Sequence, residues 1–515
     1  METEQTETAS ILYGQIVKKR NKSFLHRLPD WVLVRACAEG QRQIKNGKIK
    51  YLPLPSSDVT VDSYDYTSYI ARASFANFVG RTQEALVGLA FAEKPLYNSA
   101  EWGNAEYIVD NADGAGTELT QHIKQTLGDV VLTGRGGLLV DYPNTANVNA
   151  SPIKPASYIT YYPAESILDW EVENVNGTKR VQFVLLRERR PDVNELTDLG
   201  EGLNQFRYLH INADGFVEGV LLDKRGVQIG EKYDVVAGGE RLTELPFFFV
   251  SANNTLTSSN IFDAPVPPLL KIANLNVTHY QTDAEMRLGM HYHANPQPFI
   301  TGATPAFIKK YETEPMRIGT AEILLFEQGT TFGLAQAQFS ATPFHDELNR
   351  LRDSIVEMGG RLVTTQTGGA ESTETVRLRE SGDLSIMASI INSVSDAYES
   401  AVELVGRFMG TGEIVVEITL QTELLKRTPD GALLGALQTA MSNGVVGVGT
   451  LRNYLRNTGI IASGVTDDEL NAEVFGSLGG VESVTTAEDI VARDIASDLA
   501  NDTAEAIVAR DVLGR

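Results

Sequence analysis

Apolar residues along this chain follow two rhythms. Toward both ends they recur every third or fourth position, the spacing that gathers side chains on one helix face. In the middle they form short alternating or continuous runs between turn residues, which predicts strands. Trp31, Val34 and Ala38 keep the helical spacing until Gly40 interrupts it. The proline-bearing stretch YLPLPSSD (51–58) predicts extended chain. YIARASFANFVGRTQEALVGLAF (69–91) places Ile70, Phe75, Phe78, Val79, Leu86 and Leu89 on an apolar face. A helix over 117–127 leads through a glycine-rich turn to a buried strand at 138–140. Between 158 and 250, RVQFVLLRER, FRYLHINADGFVEGVLL and LPFFFV, with NADG and Gly226 as turn chemistry, predict an antiparallel β region.

After residue 262 the rhythm changes. Pro265, Pro267 and Pro268 pre-set a helix start. Leu269, Ile272, Ala273, Val277, Tyr280, Ala284 and Leu288 then predict one long helix, ended by NPQPF. A small insert follows, with short strands in PFITG and EILLFEQG. Pro343 opens a second helix carrying Phe344, Leu348, Leu351, Ile355, Met358 and Leu362. After the polar stretch TTQTGGAESTET (364–375) comes the longest helix, with Leu384, Met387, Ile391, Val394, Tyr398, Val402, Val405 and Met409 as its stripe. One strand, EIVVEITL, and a helical C-terminal region complete the pattern. A helix pair flanking an insert projects that insert away from the body.

Charge narrows the options. The net charge is -23 and the pI about 4.8. A protein that grips DNA by neutralising phosphates is expected to be basic. This chain therefore either avoids DNA or meets it without gripping it. The charge is uneven: residues 1–50 hold ten Lys/Arg against five Asp/Glu, whereas 466–515 hold three Arg against twelve Asp/Glu. The one cysteine, Cys37, excludes an internal disulfide framework and a CxxC zinc site. No signal-peptide pattern opens the chain, and no apolar run reaches the ~18 residues of a membrane helix. These features predict a protein made and kept in a cytoplasm.

Candidate chemistry is sparse. GRGG (134–137) lacks the Lys-Ser/Thr of a phosphate loop and precedes a strand instead of following one. His291 and His293 in HYH, with Asp283 and Glu285 upstream, are the nearest thing to a metal set. Their spacing does not place them on one helix face. A metal-dependent hydrolase built on His291, His293 and nearby carboxylates stays open as an alternative. No catalytic constellation, cofactor motif or P-loop is expected.

YLPLPSSD, the 69–91 segment, Lys94-Pro95 and GDVVLTGRGGLLVDYP (128–143) resemble the N-terminal signature of tailed-bacteriophage portal proteins, the head-to-tail connector family. The helix–insert–helix–loop–long helix order is similar to the stem, clip, tunnel loop and wing helix of that family. The resemblance implies an α+β fold: an N-terminal wing (1–262), a first stem helix (263–292), an α/β clip (293–342), a second stem helix (343–364), a tunnel loop (365–375), a long wing helix and strand (376–425) and a helical crown (426–515). It implies a non-enzymatic virion protein at one capsid vertex, present in the host cytoplasm during assembly. The family forms a homo-oligomeric ring, commonly of twelve subunits, that conducts double-stranded DNA without sequence specificity. Its partners are the terminase packaging motor, tail adaptors and the major capsid protein. No cofactor, metal or membrane is implied. Another ring-forming phage structural protein is a second alternative.

Within that frame the tunnel loop covers Thr367, Gly368, Gly369, Ala370, Glu371, Ser372, Thr373 and Glu374. Its glycines give flexibility, its hydroxyls weak contacts and its carboxylates repulsion of phosphate. Lys309, Lys310 and Arg317 in the clip are expected to meet acidic partners or entering DNA.

Overall fold

The computed structural model describes residues 13–99, 102–143, 155–175, 177–190, 203–252, 263–313, 326, 328–359, 373–412, 414–420, 431–443, 447–457, 461 and 470–471. The chain divides into two compact units, residues 1–422 and 423–515. Helix and strand are mixed throughout the first, so the fold class is α+β.

The first unit opens with helices α1 (Lys22–Glu39), α2 (Gln41–Asn46), α3 (Tyr64–Arg72) and α4 (Phe78–Ala90). Asn21 caps α1 by accepting from the Ser23 amide, and Gly40 ends it at φ 91°. Trp31 is wholly buried and donates its indole N–H to the Thr133 carbonyl at 2.9 Å. The 69–91 segment forms two helices, not one. Asn77 breaks it by capping α4, its carbonyl oxygen accepting from the Gly80 amide at 2.8 Å.

Strand β1 (Leu96–Ser99) and helix α5 (Leu119–Thr133) come next. Gly134, at φ 79°, caps α5 in the left-handed conformation that a glycine adopts without strain. Strand β2 (Arg135–Asp141) follows at once. It is the middle of a three-stranded sheet, between β3 (Tyr158–Pro163) and β11 (Phe247–Ser251). A Cβ on Gly137 would stand 2.2 Å from the Phe247 ring, and one on Gly136 2.5 Å from the Tyr161 hydroxyl. The two glycines of GRGG thus make room for aromatic rings. Gly137→Ala is expected to cost about 1–3 kcal/mol through overpacking. Chemical denaturation checks this, and Phe247→Leu should return part of the loss in the double variant.

A five-stranded antiparallel meander runs in order through β4 (Ile167–Val175), β5 (Thr178–Arg190), β6 (Leu203–Ile211), β7 (Val217–Leu222) and β8 (Tyr233–Asp234). A short hairpin of β9 (Val236–Ala237) and β10 (Glu240–Arg241) follows. Arg207 ties the two larger sheets together. It donates to Glu188 at 2.6 Å and Asp141 at 2.9 Å, while Tyr162 donates to the same Glu188 at 2.6 Å. The group is partly buried, and the Tyr162 and Gln205 donors to Glu188 and the Tyr233 hydroxyl bound by Arg207 offset the cost of removing these charges from water.

The chain then enters α6 (Leu270–Ala294), β12 (Gln297–Thr301), α7 (Pro305–Thr313), β13 (Thr331–Ala335), α8 (Thr342–Glu357) and α9 (Thr373–Phe408). Strand β14 (Val416–Thr419) closes the unit by pairing antiparallel with β1. The stripe of α9 is buried from Met387 through Ile391, Val394, Tyr398, Val402 and Val405. Tyr398 joins it to α5, its hydroxyl lying 2.7 Å from both Thr126 Oγ1 and His122 Nδ1.

Burial lowers the pKa of His122, and likewise of His210 and His279. The unfolded chain, titrating near pH 6.5, therefore binds protons more readily than the folded one. The stabilisation is complete above about pH 6.5 and is lost as pH falls toward the lower folded values. We expect the melting temperature to drop between pH 7 and 5, and His122→Gln to shallow that drop. Parallel pH profiles for variant and wild type would contradict this assignment.

The second unit holds α10 (Gly431–Ser442) and α11 (Val448–Asn457). Leu434, Leu451 and Leu455 form their common core, with Leu437, Met441 and Ile461 packed against it. No helix among the described residues is long and apolar enough to cross a membrane.

Candidate functional site

The most distinctive local architecture is the helix pair α6 and α8 with the small lobe between them. The two helices pack against each other. Their direction is fixed by glycine contacts at both ends. Near the lobe, a Cβ on Gly289 of α6 would meet the Phe339 ring at 2.3 Å; at the far end, a Cβ on Gly359 would lie 3.5 Å from Ile272. The chain thus runs out along α6 and returns antiparallel along α8. Leu351 and Ile355 are the buried residues of α8, and much of the rest of that helix is exposed.

Among its described residues the lobe holds a strand, a helix and a second strand. β12 and β13 pair antiparallel from Gln297↔Ala335 to Thr301↔Thr331, and α7 follows β12. Phe307 of α7 is buried. Phe299 covers Gly333, where a Cβ would meet its ring at 2.4 Å. The base is tied to α6 by Gln336 Nε2 donating to the His293 carbonyl at 2.9 Å and by His293 Nδ1 lying 2.7 Å from the Ala337 carbonyl. Five apolar side chains around the lobe and its base stay about half exposed: Met290, Tyr292, Phe299, Ile308 and Leu334.

The other half of α6 is locked to the N-terminal helices by polar clamps. Asn276 is fully buried within the apolar stripe. Its amide donates to the Ala76 carbonyl at 2.7 Å and accepts from the Phe78 amide at 3.2 Å. Asp283 accepts from the Ser74 amide at 2.8 Å and from Arg287 at 2.7 Å. Gln281 donates to the Tyr51 carbonyl at 2.9 Å, and Tyr69 donates to Glu285 at 2.6 Å, which helps push the Tyr69 hydroxyl pKa up beyond the effect of burial. Four side-chain clamps between Asn276 and Glu285 therefore hold the middle of α6, and its C-terminal end carries the lobe.

The residues singled out by sequence fall as follows. Lys309 is exposed on α7, and Lys310 follows it on the same helix. Arg317 lies outside the described residues, as do Thr367, Gly368, Gly369, Ala370, Glu371 and Ser372. Thr373 and Glu374, expected in the loop, are the first two residues of α9. The second long helix, expected to 364, is described as helical to Glu357, with a turn at 358–359.

His291 and His293 are not drawn together with Asp283 and Glu285. His291 Nδ1 lies 3.1 Å from the Asn295 amide nitrogen, and the two carboxylates serve the clamps. Among the described residues no three His, Cys, Asp or Glu side chains cluster closely enough to hold a metal ion. Arg135 of GRGG is fully buried, its guanidinium 4.2 Å from the Trp170 ring centroid and 4.4 Å from that of Phe249. Burial lowers its pKa to about 9, with Asp263 opposing. Its environment is that of a packed core residue, not of a phosphate loop.

Comparison with known proteins gives two kinds of likeness. Residues 268–409, which span α6, the lobe, α8 and α9, match the family model DUF4055, a domain of unknown function. Among solved structures, a chain in the neck of an empty gene transfer agent particle, computed with C6 symmetry, is 13% identical at a TM-score of 0.37, over 81% of this chain and 94% of that one. A chain of the native gene transfer agent virion is 13% identical at 0.36, over 84% and 98%. A chain of the native neck computed with C12 symmetry is 13% identical at 0.39, over 76% and 93%. No curated protein matches.

Proposed function

We propose that this chain is a ring-forming portal subunit of a phage-type head–tail connector, a conduit for duplex DNA in packaging and ejection that carries out no chemistry of its own. One observation carries the reading: an antiparallel helix pair, clamped along the middle of α6 to residues between 51 and 78, holds a small lobe with half-exposed apolar side chains beyond its end. The sequence resemblance of 51–58, 69–91 and 128–143 points the same way.

A closed ring uses two different faces of each subunit, so every copy meets a neighbour on both sides. In this reading α6 and α8 form the stem and residues 293–342 the clip. Residues 367–374 face the DNA path, where glycines and carboxylates disfavour tight phosphate binding. Lys309, Lys310 and Arg317 dock the packaging motor or tail adaptors. The ring sits at one capsid vertex against the major capsid protein, and twelve is the expected subunit number.

Electron microscopy of the purified full chain tests the proposal. Annular particles with an open centre are the expected result, with mass photometry placing them near twelve copies. Compact monomers at every protein and salt concentration would overturn it.

A further inference from the structure

A second surface in the first unit has a chemistry that the stem and lobe do not explain. A helical turn over residues 13–18 leads into α1 past the end of the five-stranded sheet, and Lys18, Arg20 and Lys22 follow at every second position. Asn21 fixes this crossing: its amide N–H donates to the Leu168 carbonyl at 3.0 Å and its side chain to the Trp170 carbonyl at 3.1 Å. The crossing lies against Leu168 and Trp170 of β4, where Ile167 pairs with Leu186, the neighbour of Arg187 on β5, which brings Arg20 toward Arg187. Burial and the Arg187 charge lower the Arg20 pKa, with Asp169 opposing.

Two guanidinium groups that repel each other need a reason to stay together, and here the anchors are carbonyl groups. Arg20 Nη1 donates to the carbonyls of Val17 at 2.6 Å and Lys19 at 2.7 Å; Arg187 Nη2 donates to the Glu165 carbonyl at 3.1 Å. Carbonyls orient a guanidinium without neutralising it. The neighbouring carboxylates are engaged elsewhere. Asp169 accepts from the Trp170 amide and pairs with Lys19 at 3.4 Å, and Glu165 is held by Arg35. The N-terminus of α1, an 18-residue helix beginning at Lys22, adds its positive dipole end.

We propose that Lys18, Arg20, Lys22 and Arg187 form a docking surface for the phosphate backbone of a nucleic acid. It lies apart from the stem, since none of the four belongs to α6, α8 or the lobe. Oriented guanidinium forks suit phosphate oxygens. On a chain of net charge -23 the surface is a local exception, so binding is weak and strongly salt-dependent.

The experiment uses the full chain and a fluorescent 20-base-pair duplex of mixed sequence, followed by anisotropy across a salt series from about 50 mM. Arg20→Gln/Arg187→Gln is expected to weaken binding at least tenfold. It should also flatten the slope of log affinity against log salt by about 2, at ~0.9 per phosphate contact. Arg20→Lys/Arg187→Lys keeps most of the slope, and unchanged melting of both variants shows that they fold. A wild type that ignores the duplex at 50 mM salt overturns the proposal, and so does an unchanged slope in the glutamine variant. If instead a synthetic peptide of residues 466–515 binds in an Arg20-dependent way while the duplex does not, the surface is a protein-docking site and the proposal fails. Ring formation is scored separately on the same variants. Loss of duplex binding with rings intact leaves the connector reading untouched, and absence of rings leaves this test readable.

Discussion

Trp31→Ala is expected to lower the stability of the first unit by about 4 kcal/mol, the largest effect of any single side-chain truncation in the N-terminal helices. Trp31 has no solvent exposure, and its ring meets Phe24 edge-on at 5.7 Å between centroids. Truncation leaves a large cavity, and for a buried Trp or Phe this loss alone runs to about 3–5 kcal/mol. It also removes the indole donor from the Thr133 carbonyl. That carbonyl ends α5 immediately before Gly134, so an unpaired group there adds about 1–3 kcal/mol, partly relieved if water enters the cavity. Trp31→Phe separates the two contributions, because it keeps most of the ring and loses only the donor; about 1–2 kcal/mol is expected. Urea denaturation of both variants, with the slope of the transition held in common, gives the comparison. An alanine variant within 1 kcal/mol of wild type would show that this corner tolerates collapse and that α1 is not anchored there.

How much of this fold was legible before the structure depends on the range of the forces involved. The stripes of α6 and α9 were plain, because a helix buries one face and the spacing of its apolar residues repeats. Ile272, Ala273, Tyr280 and Ala284 are buried as the spacing predicts. Within that stripe Asn276 passed unread and Asp283 was weighed only as a metal ligand, although a polar residue at a core position is itself a signal that some backbone group needs a partner. Their partners at 74–78 lie about two hundred residues away. The same clamps explain why 69–91 splits into two helices with no glycine or proline between 73 and 77: the amides of Ser74 and Phe78 are satisfied by side chains of α6 instead of by a continuous helix. The β region was visible as strands, but pairing was not. β2 sits between β3 and β11, and β1 pairs with a strand more than three hundred residues on, which alternation along one strand cannot reveal. Of the candidate site, the order of helix, small insert and helix could be read directly. The cluster of Arg20 and Arg187 could not, because two distant segments must cross before their charges meet.

On the proposed connector reading, replacing Phe299, Ile308 and Leu334 together with serine abolishes ring assembly while leaving the subunit folded. The argument separates two free energies. In the isolated subunit these side chains are 46%, 51% and 55% exposed, so truncation removes little of the burial that holds the lobe. Phe307 remains in the lobe core, and the backbone ladder of β12 and β13 is unchanged. In the proposed ring each copy would present its lobe to neighbours, and covering a large apolar side chain is worth about 1.5–3 kcal/mol from full exposure to full burial. Starting from half exposure, three such residues contribute about 2–4 kcal/mol at each interface. A loss of that size recurs at every interface of the ring, so the effects multiply around a closed assembly and the threshold concentration for rings rises by about two orders of magnitude or more. Mass photometry across a dilution series, with circular dichroism on the same samples, reads both quantities. Rings that persist at the wild-type threshold would show that the lobe lies free of its neighbours and that closure depends on other faces, such as the exposed side of α8. Loss of both rings and fold would instead show that Phe299 supports the lobe itself, through its cover of Gly333. Leucine in place of serine at 299, beside Ile308→Ser and Leu334→Ser, decides between that outcome and a direct interface role: it keeps an apolar cover over Gly333 and should restore the fold, and the rings stay absent if the exposed faces of Ile308 and Leu334 are what neighbours bury.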